Sequence, residues 1–214
     1  MKKLGVGILF SLAALGHAVT LDEVVGRLER AEKEILSLQF EYAQTTTVSM
    51  GGRAAESRGT AAFERPNRFR VEQSAPEPQT YISNGKQFWV HLPDRSQALK
   101  GSMENWARFS GFPQGLTPFQ MKVDDMKNKY EFSLAEETDG AVLTLTPKDP
   151  NASPYHLRLW VDMATGVARQ TALVSENVTA VVRVQNIKVN PPVNASRFRF
   201  VPPKGTEVLE MPLK

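Results

Sequence analysis

The sequence predicts an α+β protein built mainly of one antiparallel sheet, and three observations carry that reading. Residues 59–93, GTAAFERPNRFRVEQSAPEPQTYISNGKQFWVHLP, hold apolar, aromatic-rich runs separated by Arg65-Pro66-Asn67, by Pro76 and Pro78, and by Asn84-Gly85. Asn-Gly between alternating segments is a hairpin signal, because both residues tolerate the positive φ of a type I′ turn. This is a meander of at least three strands. Period-two patterning returns through 130–201, and a helical period is confined to the leading segment and one insert.

Each element follows in order. Lys2 and Lys3, the apolar run Leu4–Leu15 and the small residues Gly16-His17-Ala18 read as a signal peptide over 1–18. The apolar run is too short to span a bilayer comfortably. Thr20-Leu21-Asp22-Glu23 matches a capping box. Leu21, Val24, Val25, Leu28, Ala31, Ile35 and Leu38 continue at steps of three and four, a helix of about five turns at 3.6 residues each. From Gln39 the period turns to two, with Phe40, Tyr42, Gln44, Thr46 and Val48 on one strand face.

Strands are expected at 58–64, 67–73, 79–84 and 86–92. Residues 97–127 break the pattern: Ser102–Ser110 reads as a short helix, and Thr117-Pro118 opens another with Thr as N-cap and Pro at the first helical position. Strands resume at 130–136, 142–147, 155–161, 167–174, 178–189 and 197–201. About eleven strands make one sheet over 19–214, and so large a sheet curls. Its amphipathic elements bury their apolar faces together on the inner side.

Composition excludes several functions. Removing Lys2 and Lys3 takes the formal net charge from +3 to +1, and the remaining charges alternate in sign, so no nucleic-acid footprint is expected. Cysteine is absent, which removes disulfides, thiol nucleophiles and a lipidated anchor. Of three histidines, His17 leaves with the signal peptide, and His91 and His156 lack a second histidine at ligand spacing. Asp124-Asp125 and Glu136-Glu137 are adjacent, so neither pair shares a face. No hydrolase elbow, phosphate loop or zinc-protease motif occurs, so neither catalytic residues, nor a metal, nor a cofactor is expected.

The positive feature is apolar. Phe40, Tyr42, Phe63, Phe69, Val71, Tyr81, Phe88 and Val90 line one face, either as a binding surface or as the core of an ordinary sandwich. Arg65, between Phe63 and Pro66, is either an exposed strand-end charge or a five-donor fork set against carbonyls at a helix end.

Gly59 with Phe63-Glu64-Arg65-Pro66-Asn67-Arg68-Phe69, Ile82-Ser83-Asn84-Gly85-Lys86 with Trp89 and Pro93, and Phe198-x-Phe200-x-Pro202-Pro203-x-Gly205 resemble motifs of the outer-membrane lipoprotein carrier (LolA) family. Tyr42-x-Gln44, Thr117-Pro118-Phe119 and Leu145-Thr146-Pro147-Lys148 are similar too. The resemblance implies an unclosed, curved antiparallel half-barrel with a helical lid. It implies a non-enzymatic periplasmic chaperone, a monomer that holds lipoprotein acyl chains in the space between. Its partners would be an inner-membrane lipoprotein-releasing transporter and an outer-membrane receptor. It puts the cargo surface on the eight residues above, an aromatic important for accepting cargo on Phe69, and a lid-latching arginine on Arg65. The chain departs from the family at Ala61-Ala62, where tryptophan is frequent, and in the polar residues Gln120, Lys122, Asp124 and Asp125, which leave Met121, Val123 and Met126 as the apolar lid face. Rival readings are a carrier or sensor for another lipid or glycolipid, or a non-carrier β-rich surface protein.

Overall fold

The computed structural model describes residues 19–211 apart from 50, 51, 53, 109–115, 117, 118, 120, 138, 139, 152 and 153. The expected signal peptide and the expected N-cap at Thr117-Pro118 lie outside the described residues. The expected capping box forms. Thr20 Oγ1 accepts from the Glu23 N–H at 3.3 Å, and Glu23 Oε2 accepts from the Thr20 N–H at 2.8 Å. Helix α1 runs Leu21–Glu34, shorter than the periodicity suggested. Leu38 fits a helical step, yet it pairs with Phe63 on one side and Val189 on the other. Two ladders outweigh one more turn of helix.

Twelve strands form one sheet: β1 (Ser37–Val48), β2 (Ala55–Glu64), β3 (Arg68–Ala75), β4 (Gln79–Asn84), β5 (Gln87–Leu92), β6 (Gln97–Ser102), β7 (Tyr130–Glu137), β8 (Gly140–Pro147), β9 (Tyr155–Val161), β10 (Ala168–Ser175), β11 (Val178–Val189) and β12 (Glu207–Glu210). Their order is β12-β6-β5-β4-β3-β2-β1-β11-β10-β9-β8-β7, so β12 and β7 are free ends and the sheet is not closed. All neighbours are antiparallel except β12 on β6. The long strands β1 and β11 join the two halves at the centre.

Several expectations are corrected. Strand β6 falls where the sequence pattern breaks; Gln97-Ala98-Leu99-Lys100-Gly101-Ser102 has no β-branched or aromatic residue, and its strand is imposed by pairing along all of β5. Met103–Arg108 is a 3-10 helix. Residues 197–201 are not a strand: Ala195–Phe198 is a 3-10 turn, and the last strand is β12. The Asn84-Gly85 hairpin forms, but of its two residues only Gly85 has positive φ, at +93°. Asn84 instead turns its side chain inward, with Oδ1 accepting from the Lys86 and Gln87 N–H groups, each at 2.9 Å.

The sheet has two covered faces. On the outer face the chain after β11 crosses β3–β5 as a strap. Phe198 is buried there, and Phe200 packs 5.3 Å from Trp89 and 5.1 Å from His91. Inside, α1 and α2 (Val123–Lys129) close over β7–β10, burying Val24 and Met126 against Leu143, Leu145, Leu157 and Leu159. Against the remaining inner face, over β1–β6, pack Met103, Trp106, Leu116 and Phe119 from the insert after β6.

Candidate functional site

Register brings the sequence-predicted apolar residues together. One inner row across the strands reads Leu38, Phe63, Phe69, Ser83, Phe88, Gly101. The next reads Phe40, Ala61, Val71, Tyr81, Val90, Leu99. Phe40, Tyr42, Phe63, Phe69, Val71, Tyr81, Phe88 and Val90 are all buried in a single cluster, with Val182 and Val184 of β11. Period-two alternation on each strand does this, once the turns set the register.

Small residues shape the face. A Cβ on Gly101 would come within 2.4 Å of the Phe88 ring, so that ring lies directly on glycine backbone. Gly59 is tighter still: its Cβ would stand 2.0 Å from the Glu72 carbonyl oxygen, at a register shift between β2 and β3.

Among the described residues, what covers this face is not a second sheet. Rings from the insert fill it. Trp106 lies 4.8 Å from Phe69 and 5.0 Å from Phe88, and Phe119 lies 4.8 Å from Phe40 and 6.4 Å from Phe63. Leu116 is fully buried among them. The sequence reading missed Trp106, Leu116 and Phe119 as site residues; the density of large apolar side chains in the insert, with Met103, Phe109, Phe112 and Met121 beside these three, was the available signal. Phe119 also reaches the helical half, where a cavity of about 90 Å³ lies between Leu28, Ile35, Met121 and Met126, bordered by Glu32 and Arg65.

Arg65 stands where the helical cover meets the sheet. Its Nε donates to the Ile35 carbonyl at 2.9 Å, at the C-terminal end of α1, and its backbone N–H donates to the Leu36 carbonyl at 2.9 Å. The side chain is 37% exposed, between the two readings the sequence left open. It touches α2 only indirectly. Its Nη1 is 3.9 Å from Glu32 Oε1, while Glu32 Oε2 accepts from the Val123 N–H at 2.8 Å. The sequence gives no sign of this role for Glu32, since nothing in its helical position announces a partner 91 residues away.

Helix α1 is held elsewhere as well. Asn190 Nδ2 donates to the Glu34 carbonyl at 2.9 Å, and its Oδ1 accepts from the Leu36 N–H at 2.7 Å. Arg27 donates to the Met163 and Ala164 carbonyls in the β9–β10 turn. Gly166 lets that turn approach; a Cβ there would lie 2.6 Å from Ala31 Cβ.

Burial sets the electrostatics of the face. It raises the Tyr42 phenol, with nearby Tyr81 adding to the shift, and pushes Tyr81 up to about 12. Burial followed by the Arg70 charge lowers His91, which lies on the outer face under the strap. His156 meets Thr146 Oγ1 at 3.0 Å. Among the described residues no three His, Asp or Glu side chains gather to hold a metal, and no helix is long and apolar enough to cross a membrane.

Residues 33–201 match the family model described as outer membrane lipoprotein carrier protein LolA. Among curated proteins, outer-membrane lipoprotein carrier proteins of Coxiella burnetii and Dechloromonas aromatica are similar. The first is 26% identical, covering 94% of this chain and 93% of that protein; the second is 28% identical, covering 92% and 91%. Among solved structures, a conserved protein from Thermus thermophilus superposes with a TM-score of 0.55 at 15% identity, over 89% of this chain and 98% of that one. MucB gives 0.50 at 17% identity, over 84% of this chain and 62% of MucB. At these identities the structural likeness is one of fold. With most of its length matched by the family model, the chain belongs to the LolA family of outer membrane lipoprotein carrier proteins.

Proposed function

We propose that this protein is a periplasmic chaperone that carries lipoproteins by their acyl chains from the inner to the outer membrane. The mature protein, from Val19 after cleavage of 1–18, is read as a single carrier domain. It works as a monomer, without catalysis or cofactor, taking cargo from a lipoprotein-releasing transporter and yielding it to a receptor. One observation supports this above the others: the aromatic rows over β1–β5 are filled by Trp106, Leu116 and Phe119 of an insert rather than by a paired sheet. Phe40, Phe63, Phe69, Val71, Phe88 and Val90, with the rings of Tyr42 and Tyr81, are the proposed acyl surface. The insert rings occupy it until cargo replaces them.

Burying acyl chains stabilises by about 0.8 kcal/mol per methylene, so a free lipoprotein stays in its membrane unless another apolar surface is offered. A carrier must offer that surface and still release downhill. A cover that refills the same surface opposes cargo binding and so favours release. Arg65 is the proposed latch where α1 meets the edge of this cover beside Phe119, through the Ile35 carbonyl and Glu32.

Displacement of a fluorescent hydrophobic probe by a triacylated peptide tests the reading. Binding and displacement are expected from the folded mature protein; no uptake of either ligand would leave an ordinary packed core. Native mass spectrometry of exported protein checks the export step, and a mass retaining residues 1–18 would refute cleavage after Ala18.

A further inference from the structure

The inner face changes chemistry along its strands. Beyond the rows through Leu38 and Phe40, the next row reads Tyr42, Gly59, Gln73, Gln79, and the one after begins with Gln44 opposite Ser57. Two polar groups there lack partners among the described residues. Tyr42 is 3% exposed and belongs to the apolar cluster, yet its hydroxyl makes no hydrogen bond. Gln44 Oε1 is buried and also makes none, while Gln44 Nε2 donates to Thr46 Oγ1 at 3.1 Å. Their neighbour Tyr81 shows the ordinary outcome, its hydroxyl donating to Gln79 Oε1 at 2.7 Å.

Folds satisfy nearly all buried polar groups, because an unmade hydrogen bond there keeps its full desolvation penalty. Two orphans at positions i and i+2 of one strand, side by side on one face roughly 7 Å apart, point to something the chain does not itself supply. Tyr42 offers a donor and Gln44 Oε1 an acceptor. Burial keeps the phenol protonated, so the donor persists across the physiological range. A carbonyl complements the first, and an amide N–H complements the second. Hydrocarbon attached to such a linkage would run back along the rows of Phe40 and Phe69.

We propose that Tyr42 and Gln44 form a polar subsite for the carbonyl linkage at the head of a bound acyl chain, ester or amide, with Gln44 engaging amides alone. The subsite rests on the carrier reading above, and it gives the cleft a direction: chain ends toward Phe69, linkage toward Gln44.

The test compares wild type, Tyr42→Phe and Gln44→Leu against three probes. Diphenylhexatriene is hydrocarbon alone, an S-dipalmitoylglyceryl-cysteine peptide carries esters, and an N-palmitoyl peptide carries an amide. Tyr42→Phe is expected to leave diphenylhexatriene affinity unchanged and weaken both lipopeptides roughly threefold to tenfold, the worth of one hydrogen bond. Gln44→Leu should weaken only the N-palmitoyl peptide. Because the hydroxyl has no partner in the unliganded protein, Tyr42→Phe should melt no lower than wild type. Equal lipopeptide binding by wild type and Tyr42→Phe overturns the subsite and leaves the carrier reading standing. A lowered melting temperature with weakened binding of all three probes overturns it too, by showing a structural role. Wild type that takes none of the probes overturns both.

Discussion

The two halves of the inner face are covered in different ways. Over β7–β10 the face is aliphatic, with Leu143 and Leu145 fully buried under Val24 of α1 and Met126 of α2. The cover there is well held: α1 is tied to the β9–β10 turn by Arg27, and to the end of β11 by Asn190. Over β1–β6 the face is aromatic, and its cover includes a few side chains, Trp106, Leu116 and Phe119, whose described neighbours add no strand to the sheet. Lifting Trp106 and Phe119 away would unpair no strand. Lifting α1 away would break a helix cap, an arginine fork and a leucine core at once. On the proposed function, one half is scaffold, and the other is a surface whose cover gives way to another apolar body.

The sharpest way to break that comparison is to cut each half. Leu143→Ala removes a fully buried side chain from the scaffold half and should cost about 2–5 kcal/mol in urea unfolding. Its folded fraction should still bind a hydrophobic probe. If Leu143→Ala loses probe binding at unchanged stability, the two halves are not separate in function.

Phe69→Glu attacks the other half. The ring is 2% exposed and packs between Phe63 and Trp106, so an unpaired carboxyl there costs several kcal/mol while buried, about 2–7 for a polar group without a partner. The expected outcome is an insert driven off its seat, seen as a red shift of tryptophan emission, with loss of lipopeptide uptake and a retained sheet signal in circular dichroism. Uptake equal to wild type would remove Phe69 from the cargo surface.

Arg65→Leu should act more gently. It deletes one bond to the Ile35 carbonyl, worth about 0.5–1.5 kcal/mol net, while Asn190 still holds the carbonyl next to it. Cargo release to a receptor should slow about twofold to tenfold with loading intact, because a looser cover competes less with the acyl chains. Equal release rates would reduce Arg65 to a helix cap.

The smallest effect is expected at Glu29→Gln. Its hydrogen bond to Lys127 lowers the Glu29 carboxyl and raises the lysine, but both groups face water. Any contribution is present above the ordinary carboxylate range and fades as pH falls through the lowered value. Exposed pairs contribute little. Melting temperature and probe affinity should match wild type within error; a measurable fall would mean that the α1–α2 contact depends on surface charge rather than on Glu32 and the apolar side chains beneath.

Much of this molecule was legible in its sequence, for local reasons. The capping box at Thr20 needs only residues within one turn of each other. The eight inward residues follow from period two, since alternation decides the face of a strand before its partner is known. What was not legible depended on distant partners. Leu38 is a strand residue because Phe63 and Val189 flank it. Strand β6 exists because β5 offers a full ladder, and Phe198 and Phe200 form a strap because an outer face with Trp89 and His91 awaits them.

The same division runs through the site. Apolar character at Phe40, Phe63, Phe69 and Phe88 was determined by the sequence alone, through spacing. That Trp106 and Phe119 fill the space above them, that Glu32 joins Arg65 to Val123, and that the Tyr42 hydroxyl is left without a partner among the described residues were decided only in three dimensions. Side-chain periodicity is a property of the backbone and can be read along a line. Hydrogen-bond satisfaction and the filling of a surface belong to whatever the folded chain brings within reach, and for those groups the partners lie far along the sequence or outside the chain altogether.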